Sequence, residues 1–268
     1  MHAHLWRAAG AITAAGALAL LGLTTAGAAT GRPAAASRPA ASTVASAIGT
    51  SHQAAPAAAP DALSGPHVFG WGINWPPDIA TDGTHAWVDS GDSVIELNAA
   101  TGAEVRVIGG FRHPIGISPD GGHVWVANSG GGSVTELNAA TGTLVQNIKG
   151  SGYGFNHPAA ISSDGTHVWV ANEHGSSVTE LNAATGALVQ VITSDGLHYP
   201  RAIFSDGSHV WVTNEDESVT ELNAATGALA KVINGSRYIF NGPDAITSDG
   251  TDVRVANISG ESVTAFPA

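Results

Sequence analysis

The sequence predicts an all-β chain: a five-bladed β-propeller of four-stranded antiparallel blades, closed by an N-terminal strand that completes the last blade. Three observations carry this. A unit of about 42 residues recurs five times, a complete unit holds four short β-type runs, and the two ends of the repeat region are complementary.

The recurrence is anchored on Asp-Gly pairs at Asp82, Asp120, Asp164, Asp206 and Asp249, spaced by 38, 44, 42 and 43 residues. Six residues before each Asp stands a proline (Pro76, Pro114, Pro158, Pro200, Pro243), and three before it an isoleucine (Ile79, Ile117, Ile161, Ile203, Ile246). Five residues after it comes Trp87, Trp125, Trp169 or Trp211, with Arg254 in the last copy.

In the third copy the runs are Ala159 to Ser162, His167 to Asn172, Ser177 to Asn182 and Leu188 to Ile192. Asp-Gly and Thr-Gly turns separate them, because glycine accepts a positive φ without steric cost. Val, Ile, Thr and Trp fill the runs, as strands packed between layers require, and no segment keeps a helical period.

The last copy stops after its third run, Ser262 to Phe266, and an unmatched run, His67 to Trp71, precedes the first proline. Pairing these two closes the ring without leaving an open sheet edge. An open solenoid is the alternative architecture.

The segments "DGTHVWVAN", "DGSHVWVTN" and "SVTELNAATGALVQVI" resemble the YVTN-type β-propeller repeat over residues 67 to 268. Surface-layer and periplasmic proteins belong to that group, and the lyase that opens virginiamycin B is related to it. The resemblance implies the fold; function does not follow from it, because propellers host binders and enzymes alike.

Composition divides the chain into residues 1–28, 29–65 and 66–268. The first part reads as an export signal: Arg7, an apolar run from Ala8 to Leu23, then Ala26-Gly27-Ala28 before cleavage. An uncleaved anchor is the rival reading. The second part is an Ala/Pro/Ser-rich spacer with little to bury, and the third is the propeller. A secreted or envelope-associated monomer, with no membrane insertion after signal cleavage, is therefore expected. The chain has no cysteine, so packing alone must stabilise it.

From Asp61 onward seven basic residues face 22 acidic ones, a net charge of −15. Phosphate binding draws on clustered Lys and Arg, so no nucleic-acid partner is expected.

Residues present in every copy are explained by architecture. His85, His123, His167 and His209 are expected to be structural, since successive blades hold them apart. The tryptophans should pack between blades. Asn128, Asn172, Asn214 and Asn257 should bond the following loop. Glu96, Glu136, Glu180 and Glu221 should lie solvated or hydrogen-bonded near the blade rim.

Function is sought where copies differ, on loops carried by a rigid scaffold. The blade-joining loops and the segment before the first blade carry Trp71, Trp75, Phe111, Arg112, His113, Tyr153, Phe155, His157, His198, Tyr199, Arg201, Arg237, Tyr238 and Phe240. These are expected to line one axial funnel that binds a glycan, peptide or surface protein, with aromatic faces for stacking and polar edges for recognition. Covering the blade tops is the alternative role for the aromatics.

No cofactor, metal or catalytic group is assigned. A Ca²⁺ shared by Asp78 and Asp244, brought together by ring closure, is a weaker reading. An enzyme would need His157 or His198 beside Glu173 or Glu215, and a purely structural scaffold is a third possibility.

Overall fold

The computed structural model describes residues 72–268. The signal segment, the spacer and the expected closing strand His67 to Trp71 lie outside the described residues. Among the described residues no helix is long and apolar enough to cross a membrane.

The fold is an all-β, five-bladed propeller. Blade one contains β1 (Ile79–Thr81), β2 (His85–Ser90), β3 (Ser93–Asn98) and β4 (Glu104–Gly109). Blade two contains β5 (Pro114–Pro119), β6 (His123–Asn128), β7 (Ser133–Asn138) and β8 (Leu144–Lys149). Blade three contains β9 (Pro158–Ser163), β10 (His167–Asn172), β11 (Ser177–Asn182) and β12 (Leu188–Thr193). Blade four contains β13 (Pro200–Ser205), β14 (His209–Asn214), β15 (Val219–Asn223) and β16 (Leu229–Ile233). Blade five has three described strands, β17 (Pro243–Ser248), β18 (Asp252–Asn257) and β19 (Ser262–Pro267).

Every sheet is an antiparallel meander in chain order. The first strands are innermost, for β1 packs on β5, β5 on β9, β9 on β13 and β13 on β17. In the first and last blades Ile79 and Val263 are exposed, whereas Val94, Val134, Val178 and Val219, the counterparts of Val263, are buried.

The cores lie between blades. Trp125 and Val134 of blade two pack with Ile161, Val168 and Leu181 of blade three, and Trp169 and Val178 of blade three with Ile203, Val210 and Leu222 of blade four. The four repeat tryptophans, Trp87, Trp125, Trp169 and Trp211, are fully buried. At roughly 25 cal/mol per Å² and about 200 Å² per ring, each contributes on the order of 5 kcal/mol of transfer free energy, an upper bound.

A repeated polar network explains the turn face. One oxygen of each turn aspartate accepts the amides that follow it, as Asp164 Oδ1 does from Thr166 and His167. Its other oxygen accepts the indole N–H of Trp125 at 2.8 Å in blade two, and of Trp169 at 3.4 Å in blade three. In blades one and four His85 and His209 meet that oxygen instead, at 3.2 and 3.4 Å, and in blade five Arg254 does so at 2.7 Å. Arg254 thus takes over the polar half of the tryptophan's role.

Of the two settings expected for the third-strand glutamates, solvated or hydrogen-bonded, the structure shows the second: they are buried and partnered. Each touches its blade's turn-face histidine and a partner on the fourth strand: Arg106 to Glu96 and Lys231 to Glu221, both at 2.7 Å, and Gln190 to Glu180, also at 2.7 Å. A buried carboxylate needs such partners to offset its desolvation. The glutamines also clamp neighbouring blades, since Gln146 and Gln190 donate at 3.1 Å to the carbonyls of Thr185 and Thr226 in the next blade's turn.

That clamp requires glycine. Gly186 has φ +66°, and a Cβ there would lie 2.2 Å from Gln146 Nε2. Gly186→Ala is expected to cost roughly 1–3 kcal/mol in urea unfolding. Gln146→Ala/Gly186→Ala should lose clearly less than the sum of the two single variants; strict additivity would contradict the clamp.

Candidate functional site

Each blade-joining loop returns from an outermost strand to the next innermost one by crossing the top of the blade it enters. A Cβ at Gly154 would lie 3.1 Å from Val191 on β12, and one at Gly196 would lie 2.6 Å from Val232 on β16. A relay fixes the crossing: Asn172 Nδ2 donates to Thr179 Oγ1 at 2.9 Å, and Thr179 Oγ1 donates to the Tyr153 carbonyl at 2.7 Å. Asn257, Thr264 and the Tyr238 carbonyl repeat it at 3.0 and 2.8 Å, and Asn214, Thr220 and the Gly196 carbonyl repeat it again. The asparagines bond across to the third strand and reach the crossing through the threonine, and in blades four and five they also hold it directly. Asn214 donates to the Gly196 carbonyl at 3.2 Å and accepts from the His198 amide at 3.1 Å, and Asn257 accepts from the Asn241 amide at 3.3 Å.

Every crossing ends in a left-handed residue before the inner-strand proline: Trp75 (φ +49°), His113 (+53°), His157 (+55°), Tyr199 (+47°) and Gly242 (+64°). Only the last copy uses the residue this backbone favours. Side chains elsewhere in that region cost about 1–2 kcal/mol each.

The residue after the proline is a bulge in blades two to five. Pro200 pairs with Asn214 and Ala202 with Thr213, skipping Arg201; Pro243 and Ala245 likewise skip Asp244. Ile115 and Ala159 are skipped in blades two and three. Bulges re-aim side chains, and two of these four carry charge.

These placements assemble a polar constellation from blades two to five. His157 Nδ1 lies 2.8 Å from Glu173 Oε2, and the Glu173 amide donates to the His157 carbonyl at 3.0 Å. The rings of His157 and His174 stack at 4.3 Å. Burial holds the His157 imidazole below its ordinary pKa, assisted by the nearby His174 and His113 and opposed by Glu173. His113 Nδ1 lies 2.7 Å from Ser129 Oγ.

On the neighbouring blades Arg201 donates to Glu215 at 3.1 Å. Burial raises the Asp244 carboxyl pKa, against the pull of Arg201 and with a push from Glu173. A depression of about 310 Å³ lies here, lined by Arg201, Glu215, Asn241, Asp244, Ile258 and Ser259 among others.

Several expectations are corrected. Phe111 and Phe240 are 7% and 6% exposed and belong to interblade cores, so they line no funnel. Tyr153 stacks on Phe155 at 5.4 Å and Tyr238 on Phe240 at 5.5 Å, and Tyr153, Phe155 and Tyr238 pack against those cores from above. The surface aromatics are Trp75, 81% exposed, and Tyr199, 50% exposed. His198 turns to the Asp195 carbonyl at 2.6 Å instead of to Glu215. Arg237 lies over the Tyr238 ring at 4.6 Å, and Arg112 is exposed. Trp71 lies outside the described residues. His174 was missed: it stands in a variable loop with no periodic signal.

No known family profile matches the chain, and no curated protein does either. Among solved structures, hydrazine synthase from Kuenenia stuttgartiensis is similar with TM-score 0.55 at 20% identity, covering 72% of this chain and 58% of that one. The computationally designed Ika8 protein gives TM-score 0.57 at 14% identity, with the same coverage. U3-55K gives 0.52 at 15%, covering 66% and 59%. The chain thus spans under two thirds of each, and the likeness concerns the fold alone.

Asp78 and Asp244 do not occupy equivalent positions: Pro77 stands where blade five has Asp244, and Asp78 stands where it has Ala245. Asp78 instead faces Asp89, whose amide donates to the Asp78 carbonyl at 3.1 Å. In the other blades this cross-strand pair is Gly116 with Ala127, Ala160 with Ala171, Ala202 with Thr213 and Ala245 with Ala256. Asp78 accepts the Ile79 and Ile117 amides at 2.8 and 2.9 Å, while Asp89 is fully buried and neither of its carboxylate oxygens has a hydrogen-bond partner among the described residues.

Burial, and then the Asp78 charge, push the Asp89 pKa well above the carboxylate range. A carboxyl raised on folding destabilises the native state wherever it must ionise, a cost that grows as pH rises from about 4 through the raised value. Asp89→Asn is therefore expected to raise Tm at pH 7, with the gain vanishing near pH 4. An unchanged Tm at pH 7 would contradict this.

Proposed function

We propose that this is a secreted, non-catalytic propeller that binds a glycan, an extended peptide or a cell-surface protein through its blade-joining loops. The signal segment 1–28 would deliver it, and the spacer 29–65 would hold it away from the envelope. Resemblance of its repeats to the YVTN type, with its surface-layer and periplasmic members, fits that setting.

The observation that carries the reading is the set of strained pre-proline residues. Trp75, His113, His157 and Tyr199 hold left-handed backbone where Gly242 shows that no side chain is required. Two of them, Trp75 and Tyr199, are exposed aromatics, and Tyr199 stands two residues before the charged bulge residue Arg201. Aromatic faces flanked by hydrogen-bonding groups suit a sugar ring or a peptide side chain.

One distance favours a second reading. His157, whose pKa burial lowers, held 2.8 Å from Glu173, has the geometry of a general-base pair, as a lyase resembling the virginiamycin B enzyme, or a hydrolase, would use.

Glycan and peptide arrays probed with the secreted protein test the first reading. Trp75→Ala and Tyr199→Ala should each weaken a detected interaction by about tenfold or more, the effect of losing an aromatic anchor. Binding that survives the double variant would overturn the site, and turnover of an array component lost in His157→Ala would favour the enzyme.

A further inference from the structure

Blade three differs from the others in what its two inner loops bring together. At the corresponding places blade two has His113, Ser129 and Gly130, blade four has Tyr199, Glu215 and Asp216, and blade five has Gly242, Ile258 and Ser259. In blade three they are His157, Glu173 and His174, and one ligand atom from each lies within 4.8 Å of the others. We propose that these three side chains form a binding site for a borderline divalent transition metal of the Zn²⁺, Co²⁺ and Ni²⁺ class. The proposal is independent of which molecule the loop face recognises.

The donor set defines the class. Two imidazoles and one carboxylate suit Zn²⁺ and its neighbours, whereas Ca²⁺ and Mg²⁺ take six or more oxygens, which are not gathered here. In a tetrahedral site with bonds of about 2.1 Å, ligand atoms stand roughly 3.4 Å apart. The His157 and Glu173 atoms are already 2.8 Å apart, so a metal replacing the proton between them needs them to open slightly while His174 closes in.

Two of the ligands are held in advance. Glu173 is buried and follows Asn172, whose amide is bonded to Ser177 and Thr179. The Glu173 backbone is tied to the His157 carbonyl at 3.0 Å, and Pro158 restricts His157 from the other side. His174 is exposed and stacks on the His157 ring at 4.3 Å, the third ligand of a site that leaves a fourth position to water or to a ligand's oxygen. Asp244 lies close enough to feel the Glu173 charge, and adds to the negative potential that attracts a cation.

The test is titration of the full chain with CoCl2, followed by absorption, and with ZnCl2, followed by calorimetry. One saturable equivalent with a tetrahedral Co²⁺ spectrum is expected, and excess MgCl2 should not displace it. His174→Ala, at an exposed position that should not disturb folding, and Glu173→Gln should each weaken binding at least about tenfold, since even outer-shell losses cost that much. His209→Ala, on the opposite face, should leave it unchanged. Absence of saturable binding, displacement by MgCl2, or equal affinity in His174→Ala would overturn the proposal, the last by placing the ion on another of the twelve histidines.

Discussion

The upper face depends on one constraint: a chain leaving the rim of one blade must re-enter the next at the axis, over the top of that blade. The crossing would be a loose loop without the Asn to Thr to carbonyl relay that pins its middle in blades three, four and five. Its inner end is fixed by a proline and by the left-handed residue before it. Rigid crossings place their last side chains reproducibly, which is what a binding surface needs. Pinning the loop also aligns it with the segment after the asparagine, so that residues 16 apart, such as His157 and Glu173, meet side by side.

The lower face obeys a different constraint. There the Asp, His, Trp and Glu network repeats with small substitutions, Arg254 for tryptophan and Arg106 or Lys231 for glutamine, each preserving one contact of the group it replaces. Its conservatism from blade to blade follows from its work: it satisfies buried carboxylates and clamps neighbouring blades through Gln146 and Gln190. A face so occupied with holding itself together has little chemistry to spare, and the loops that differ in length and chemistry lie on the other one.

Much of the fold was legible because turn chemistry and strand alternation are local. The third copy's strands were placed within a residue of their ends from Asp-Gly, Thr-Gly and the valine pattern alone. The site was legible only in part. His113, His157 and Arg201 could be picked out as variable-loop residues, but a loop's composition does not say which of its side chains turns inward, so Phe111 and Phe240 were set on the surface when they fill cores. Burial of Glu180 was hidden because Gln190, its partner, lies ten residues on and reveals itself only once the hairpin forms. The bulges that aim Arg201 and Asp244 leave no mark beyond a proline one residue earlier.

The central claim is that the pre-proline side chains are carried at the expense of stability and not in its service. Thermal unfolding of Trp75→Gly and Tyr199→Gly measures this directly, since glycine relieves the left-handed strain and loses only exposed contacts. Relief of about 1–2 kcal/mol, less the greater flexibility of unfolded glycine, predicts that each variant melts at the wild-type temperature or a few degrees above it. A fall of about 4 °C or more in either would contradict the account, by showing that the ring itself holds the crossing in place.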